Sequence, residues 1–251
     1  MSMLINTLTQ EQFDKGVANW LSVLASKDWQ LLERLFVAPG SKRKMANVTF
    51  PVEQMALLVS TPGGRQIEAR FLALKDEGDE VEAFAIALYA TDINRKRVSA
   101  YYLSSPGNPV PAPPTAKATR AKENETAGTQ GDAGTSDSTY DGMQAVQVPY
   151  FIVAEWTKAW DDASLSTSMF INNYGPLQGY TFSFGDFIKP MFQHQQEEGW
   201  YLGIDLGLHH YYAPEGPATT FGLALRLYGP NGASEHSFYD MSMPCPPGYY
   251  I

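Results

Sequence analysis

The residues with the widest chemical range in this 251-residue chain gather in its second half: His194, His209, His210 and His236, which are all its histidines, with Asp205 and the single cysteine, Cys245. A carboxylate beside an imidazole would serve proton transfer, and a thiolate beside an imidazole would serve metal binding or nucleophilic attack. The spacing argues against both. Adjacent His209 and His210 in an extended segment point to opposite faces, so at most one joins a site built on Asp205. No His-x-x-x-His or Cys-x-x-Cys pair supports zinc. Cys245 pairs with His236 only by residue type, and it stands in Cys-Pro-Pro, whose prolines have no amides to offer an oxyanion. The acidic string Asp76, Glu77, Asp79, Glu80 lacks the alternating ligands and distal Glu of a calcium loop. No nucleophile elbow, phosphate-cradling loop or dinucleotide fingerprint occurs. Neither metal nor cofactor is expected. A pocket, if the chain has one, would use Asp205, His209, His210 and Trp200.

These residues must be positioned by the stretch Trp200-Tyr-Leu-Gly-Ile-Asp-Leu-Gly-Leu208. Leu202, Ile204, Leu206 and Leu208 alternate onto one face, and Gly203, Asp205 and Gly207 onto the other. Glycines inside a strand mark a place where another backbone, ring or ligand comes close. The following Phe221-Gly-Leu-Ala-Leu-Arg-Leu-Tyr228 reads as a buried strand closed by a Gly-Pro-Asn-Gly turn.

That strand has an echo in Ala83-Phe-Ala-Ile-Ala-Leu-Tyr-Ala-Thr-Asp92, with its tyrosine two residues earlier. The echo extends both ways: Val17-Ala-Asn-Trp20 with Val153-Ala-Glu-Trp156, Thr49-Phe-Pro-Val52 with Thr181-Phe-Ser-Phe184, and Ala100-Tyr-Tyr102 with Ser237-Phe-Tyr239. Order is kept while the offset drifts slightly, as in a duplication with small loop changes. Each copy reads as helices followed by an antiparallel meander. Thr9 with Gln12 forms a capping box before Phe13, Val17, Trp20, Leu21 and Leu24 at helical spacing. Asp28 caps a second helix with Trp29, Leu32, Leu35 and Phe36 on one face and a stop at Pro39-Gly40. Pro51 opens a third at a first-turn position. Val148 to Trp160 supplies the entry helix of the second copy. The expected fold is α+β, with two homologous units at 1–106 and 144–251, each with helices on a three- to four-stranded antiparallel sheet.

Residues 107–143 begin with Pro109, Pro111, Pro113 and Pro114 and then hold almost no aliphatic or aromatic side chain, the composition of a disordered tether. The net charge of −9 is uneven: 12 basic and 12 acidic residues precede position 107, against 3 and 10 from position 144 onward. An acidic half holding only Lys158, Lys189 and Arg226 excludes phosphate-backbone binding, so no nucleic acid is expected. No apolar run reaches membrane-spanning length, and one cysteine fits a reducing compartment; a soluble, cytoplasmic protein is expected.

Without a converging acid, base and nucleophile, the sequence reads as a non-catalytic protein-interaction or assembly module, partnered by another protein or by itself. The competing reading is a small-molecule binder or enzyme with its pocket in the second repeat. Contact is expected at Tyr211, Tyr212, Tyr249 and Tyr250, which stand near Pro and Gly in an expected loop and tail. There a tyrosine offers wide contact area at low entropy cost.

Overall fold

A computed structural model describes residues 6–38, 42–75, 82–107, 147–148, 150–172, 175–185, 187–188, 199–213, 216–229, 234–239 and 243–244. Of these, 147–148, 150, 172, 211–213, 216–218, 234–239 and 243–244 are described by backbone alone. His194, Cys245, Tyr249, Tyr250 and residues 108–143 of the expected tether lie outside the described residues.

The first half runs β1 (Thr7–Leu8), α1 (Gln10–Ser26), α2 (Trp29–Leu35), β2 (Asn47–Pro51), α3 (Val52–Val59), β3 (Gln66–Leu74), β4 (Ala83–Thr91), β5 (Tyr101–Leu103) and β6 (Ser105–Pro106). The second runs β7 (Gln147–Val148), α4 (Tyr150–Asp162), a 3-10 turn (Thr167–Phe170), β8 (Ile171–Asn172), β9 (Gly175–Pro176) and β10 (Gly179–Ser183). It continues with β11 (Tyr201–Ala213), β12 (Gly216–Tyr228), β13 (Ser234–Tyr239) and β14 (Met243–Pro244). The mixed α+β composition with antiparallel sheets is as the sequence predicts.

Local chemistry sets the helix ends. Thr9 and Gln12 form both bonds of the capping box, and Lys27 closes α1 in the left-handed conformation. Asp28 accepts from the amides of Gln30 and Leu31 at the start of α2. Pro51 precedes α3 as its cap, one position earlier than expected. α2 ends with Phe36 as its cap, before the Pro39-Gly40 stop, which lies outside the described residues. Trp29 departs from the expected apolar stripe: it is 54% exposed, while Leu32, Leu35 and Phe36 are buried.

Sheet architecture departs from expectation. Among the described residues each main sheet has six strands, four from one half and two from the other: β1-β5-β4-β3-β10-β14 and β7-β13-β12-β11-β2-β6, read from the two outer edges. β10 pairs with β3 through Gln66↔Ser183 to Arg70↔Gly179, and β2 pairs with β11 through Tyr201↔Pro51 to Asp205↔Asn47. Local periodicity encodes which face of a strand is buried but not which distant strand lies beside it, so three- to four-stranded sheets were the natural reading.

The core fills the space between the two sheets with aromatic rings. Phe221 of β12 contacts Phe36, Phe71, Trp160 and Phe170 at 4.8–5.8 Å between ring centroids. Trp20 contacts Phe36, Phe71, Phe84 and Phe170 at 5.4–6.3 Å. The first half's Phe36 and Phe71 therefore pack on the second half's Phe170 and Phe221.

α1 and α4 lie on the outer faces. Gly16 of α1 rests on Leu72 and Leu74, where a Cβ would come within 2.7 Å of Leu74, and α4 packs Val153 on Ala224 and Trp156 on Gly207. Trp20 and Trp160 occupy similar environments. Both are fully buried, both reach the inner core, and each donates its indole N–H to a carbonyl of the opposite half, Trp20 to Leu177 and Trp160 to Met45, at 2.8 Å.

Because Phe221 is shared by rings of both halves, Phe221→Ala is expected to lower the unfolding free energy of the whole chain by about 3–5 kcal/mol, measured by urea denaturation. A loss below about 1 kcal/mol would mean that the interior is not packed as described.

Candidate functional site

The bare face of β11 is covered by the protein itself. A Cβ at Gly203 would lie 2.2 Å from the Tyr228 ring, one at Gly207 3.0 Å from Trp156 Cβ, and one at Gly222 of β12 2.7 Å from the His209 ring. The expectation that these glycines mark close approach holds, and the approaching groups are two rings and a helix.

Asp205 sits under this cover, 6% exposed and flanked by Asn47 on β2 and Ala224 on β12. Tyr228 donates its hydroxyl to Asp205 Oδ1 at 2.9 Å. Burial pushes the Asp205 carboxyl up to about 6, and the Tyr228 hydroxyl, the Arg226 charge and an Asn47 hydrogen bond hold it from rising further. Tyr228 is itself raised, by burial first and then by the carboxylate beside it. Its ring stacks on Tyr201 at 5.0 Å and carries the Arg226 guanidinium at 4.9 Å. Beside Asn47 the backbone of Gly107 is so close that any Cβ would overlap Oδ1, at 1.4 Å.

A related cluster occupies the outer face of the other sheet. Thr181 of β10 donates to Glu68 Oε2 at 3.1 Å, and Arg70 Nε stands 3.9 Å from the same oxygen. Arg70 also donates to Tyr89 Oη and to Gln178 Oε1, each at 3.3 Å. Burial, only partly offset by Arg70, pushes the Tyr89 hydroxyl up to about 12. Each cluster combines an acid, an arginine and a tyrosine, and each joins residues of both halves: Asn47 with Asp205, and Glu68 and Arg70 with Thr181 and Gln178.

The expected pocket residues are not brought together. His209 lies four residues beyond Asp205 on the same strand face, roughly 13 Å away at the usual rise, with its ring 5.1 Å from Trp156. His210 is exposed, its Nδ1 3.3 Å from Thr219 Oγ1. Trp200 lines a separate open groove of about 300 Å³ with Thr49, Pro51, Glu53, Ser105 and Tyr201. Tyr211 and Tyr212, expected in a loop, are in β11, paired with Ala218 and Pro217. Arg226, Tyr228 and Asn47 were missed. The signal for the first two was present, since pairing the Tyr201-x-Gly-x-Asp205 alternation with Arg226-x-Tyr228 in a hairpin puts all of them on one face.

Chemically the Asp205 cluster is a closed clamp: its groups bond one another, and the rings of Tyr201 and Tyr228 cover it. Among the described residues no group of three or more metal-ligating side chains occurs, and no helix is long and apolar enough to cross a membrane. Comparison with family models, curated proteins and solved structures finds no match to this chain.

The clamp has a pH signature. Asp205 titrates higher in the folded chain than its ordinary 3.8, so the folded state holds the proton more tightly. The resulting stabilisation is complete below about pH 4 and is lost as pH rises through about 6, an effect on the order of 3 kcal/mol. Asp205→Asn should flatten stability across that window, measured as urea midpoints at pH 4.5 and 7.5. An undiminished slope in the variant would assign the pH dependence to other carboxyls.

Proposed function

We propose that the protein is a non-catalytic interaction or assembly module built on an internally duplicated α+β domain, and that it makes contact through the distal part of the β11–β12 hairpin. The observation that carries this reading is the ribbon from His210↔Thr219 to Ala213↔Gly216, beyond the reach of β2 on one side and β13 on the other. Among the described residues neither edge has a strand neighbour there. A two-stranded ribbon with open edges offers unpaired backbone donors and acceptors, the feature through which an extended segment of a partner adds as a strand. Pro217 removes one donor from the β12 edge, which favours the β11 edge as the template. Tyr211 and Tyr212 lie in this ribbon and would supply anchoring area.

The duplication is supported by the matching strand orders and by the equivalent environments of Trp20 and Trp160. A non-catalytic role is supported by the way the polar groups on β11 and β12 are spent on one another. The competing reading, a small-molecule binder or enzyme, has the groove at Trp200, but Asp205, His209 and His210 are absent from its lining. A reducing, cytoplasmic setting belongs to the same proposal and rests on the lone Cys245.

The test is crosslinking and sedimentation of the intact chain beside Tyr211→Ser/Tyr212→Ser, with deletion of Tyr249 to Ile251 as a separate variant. The ribbon variant is expected to weaken association about tenfold or more while its unfolding free energy changes by less than about 0.5 kcal/mol. A chain that stays strictly monomeric with no partner, or a variant that loses stability without losing association, would contradict the proposal.

A further inference from the structure

We propose that the interface between the two halves works in trans, so that the partner it fits is the complementary half of a second copy of this chain, taken up by reciprocal exchange. The inference rests on the assembly reading above but uses a different surface, the shared core rather than the β11–β12 ribbon.

Three observations carry it. First, the anchoring contacts cross between halves: Trp20 and Trp160 donate to Leu177 and Met45, and Lys44 donates its ammonium to the Trp160 and Ala163 carbonyls at 2.7 and 2.5 Å, closing the C-terminal end of α4. Second, neither half completes its own sheet. Without β10 the inner edge of β3 is open over five residues, and without β2 the inner edge of β11 is open over five. Each open edge borders an apolar core face, the arrangement that recruits another strand. Third, the covalent connection is far longer than the fold requires. It leaves β6 at one edge of a six-stranded sheet and re-enters at β7 on the opposite edge, a separation of about 24 Å at usual strand spacing. The residues between Gly107 and Gln147 reach on the order of 100 Å when extended.

A connection with this much excess does not dictate which copy's second half completes which first half; it only raises the local concentration of its own. That local concentration is roughly millimolar for linked modules, so the closed monomer dominates in dilute solution. Exchange grows when chains fold together at concentrations approaching that value, which is the general route to swapped dimers.

The test uses full-length chains carrying Cys245→Ser. One also carries Gln66→Cys and the other Ser183→Cys, positions paired across β3 and β10. A chain carrying both substitutions is the control and should close an intrachain disulfide in dilute solution. Refolding the two single variants together should give an interchain disulfide whose yield rises with protein concentration, whereas mixing the folded chains should give little. A control that closes while the mixed chains give no dimer at any concentration overturns the proposal. As a second measurement, a protease site is placed within residues 108–146 of the intact chain. After cleavage the two pieces should co-elute and keep the unfolding midpoint of the uncut protein at equal concentration to within a few degrees; pieces that separate or precipitate overturn the proposal whatever the disulfide result. Tyr211→Ser/Tyr212→Ser should exchange like the parent chain, so failure of the ribbon reading and failure of this one are distinguishable.

Discussion

Two fully buried indole N–H groups find their acceptors in the opposite half of the chain. A buried indole left without a partner costs the desolvation of its N–H, on the order of 1–3 kcal/mol, and here each finds a carbonyl two residues before an exchanged strand: Met45 before β2 and Leu177 before β10. The same bond that satisfies the tryptophan fixes where the foreign strand enters. From that point β2 pairs with β11 and β10 pairs with β3, each over five residues.

The outer faces repeat this logic with polar groups. The Asn47–Asp205–Tyr228–Arg226 cluster and the Glu68–Arg70–Tyr89–Thr181 cluster each lie where an exchanged strand meets its host. Hydrogen bonds across each seam favour one register of the guest strand over slipped alternatives, at the cost of a buried Asn47 Oδ1 that has no hydrogen-bond partner among the described residues. Their residue types resemble those of a catalytic site, but they face one another instead of a space that a substrate could enter. The pH sensitivity expected of Asp205 is on this view a property of the joint between the halves.

Much of the local structure was legible. The capping box at Thr9, the Asp28 cap and the alternation from Leu202 to Leu208 depend on residues near one another in sequence, and all appear; the glycines mark close approaches too, but the groups that approach them come from distant positions. What failed depended on distance. Val-Ala-x-Trp pairs Trp156 with Trp20 in sequence; in the fold Trp156 lies on the outer face against Gly207, and Trp160, one helical turn on, is the fully buried ring that donates across the halves as Trp20 does. The exchange of β2 and β10 could not be read at all, because period-two alternation fits any neighbour with an apolar face. Asp205 is singled out by the sequence, yet its partners lie on β12 and on a strand from the other half, while His209 lies farther along β11 and Trp200 lines a separate groove.

The central claim is that two halves of one chain form a single cooperative body through exchanged strands and a shared aromatic core. Differential scanning calorimetry of the intact protein tests it most directly. The account predicts one transition whose calorimetric and van't Hoff enthalpies agree; two resolved transitions, or a calorimetric enthalpy about twice the van't Hoff value, would contradict it.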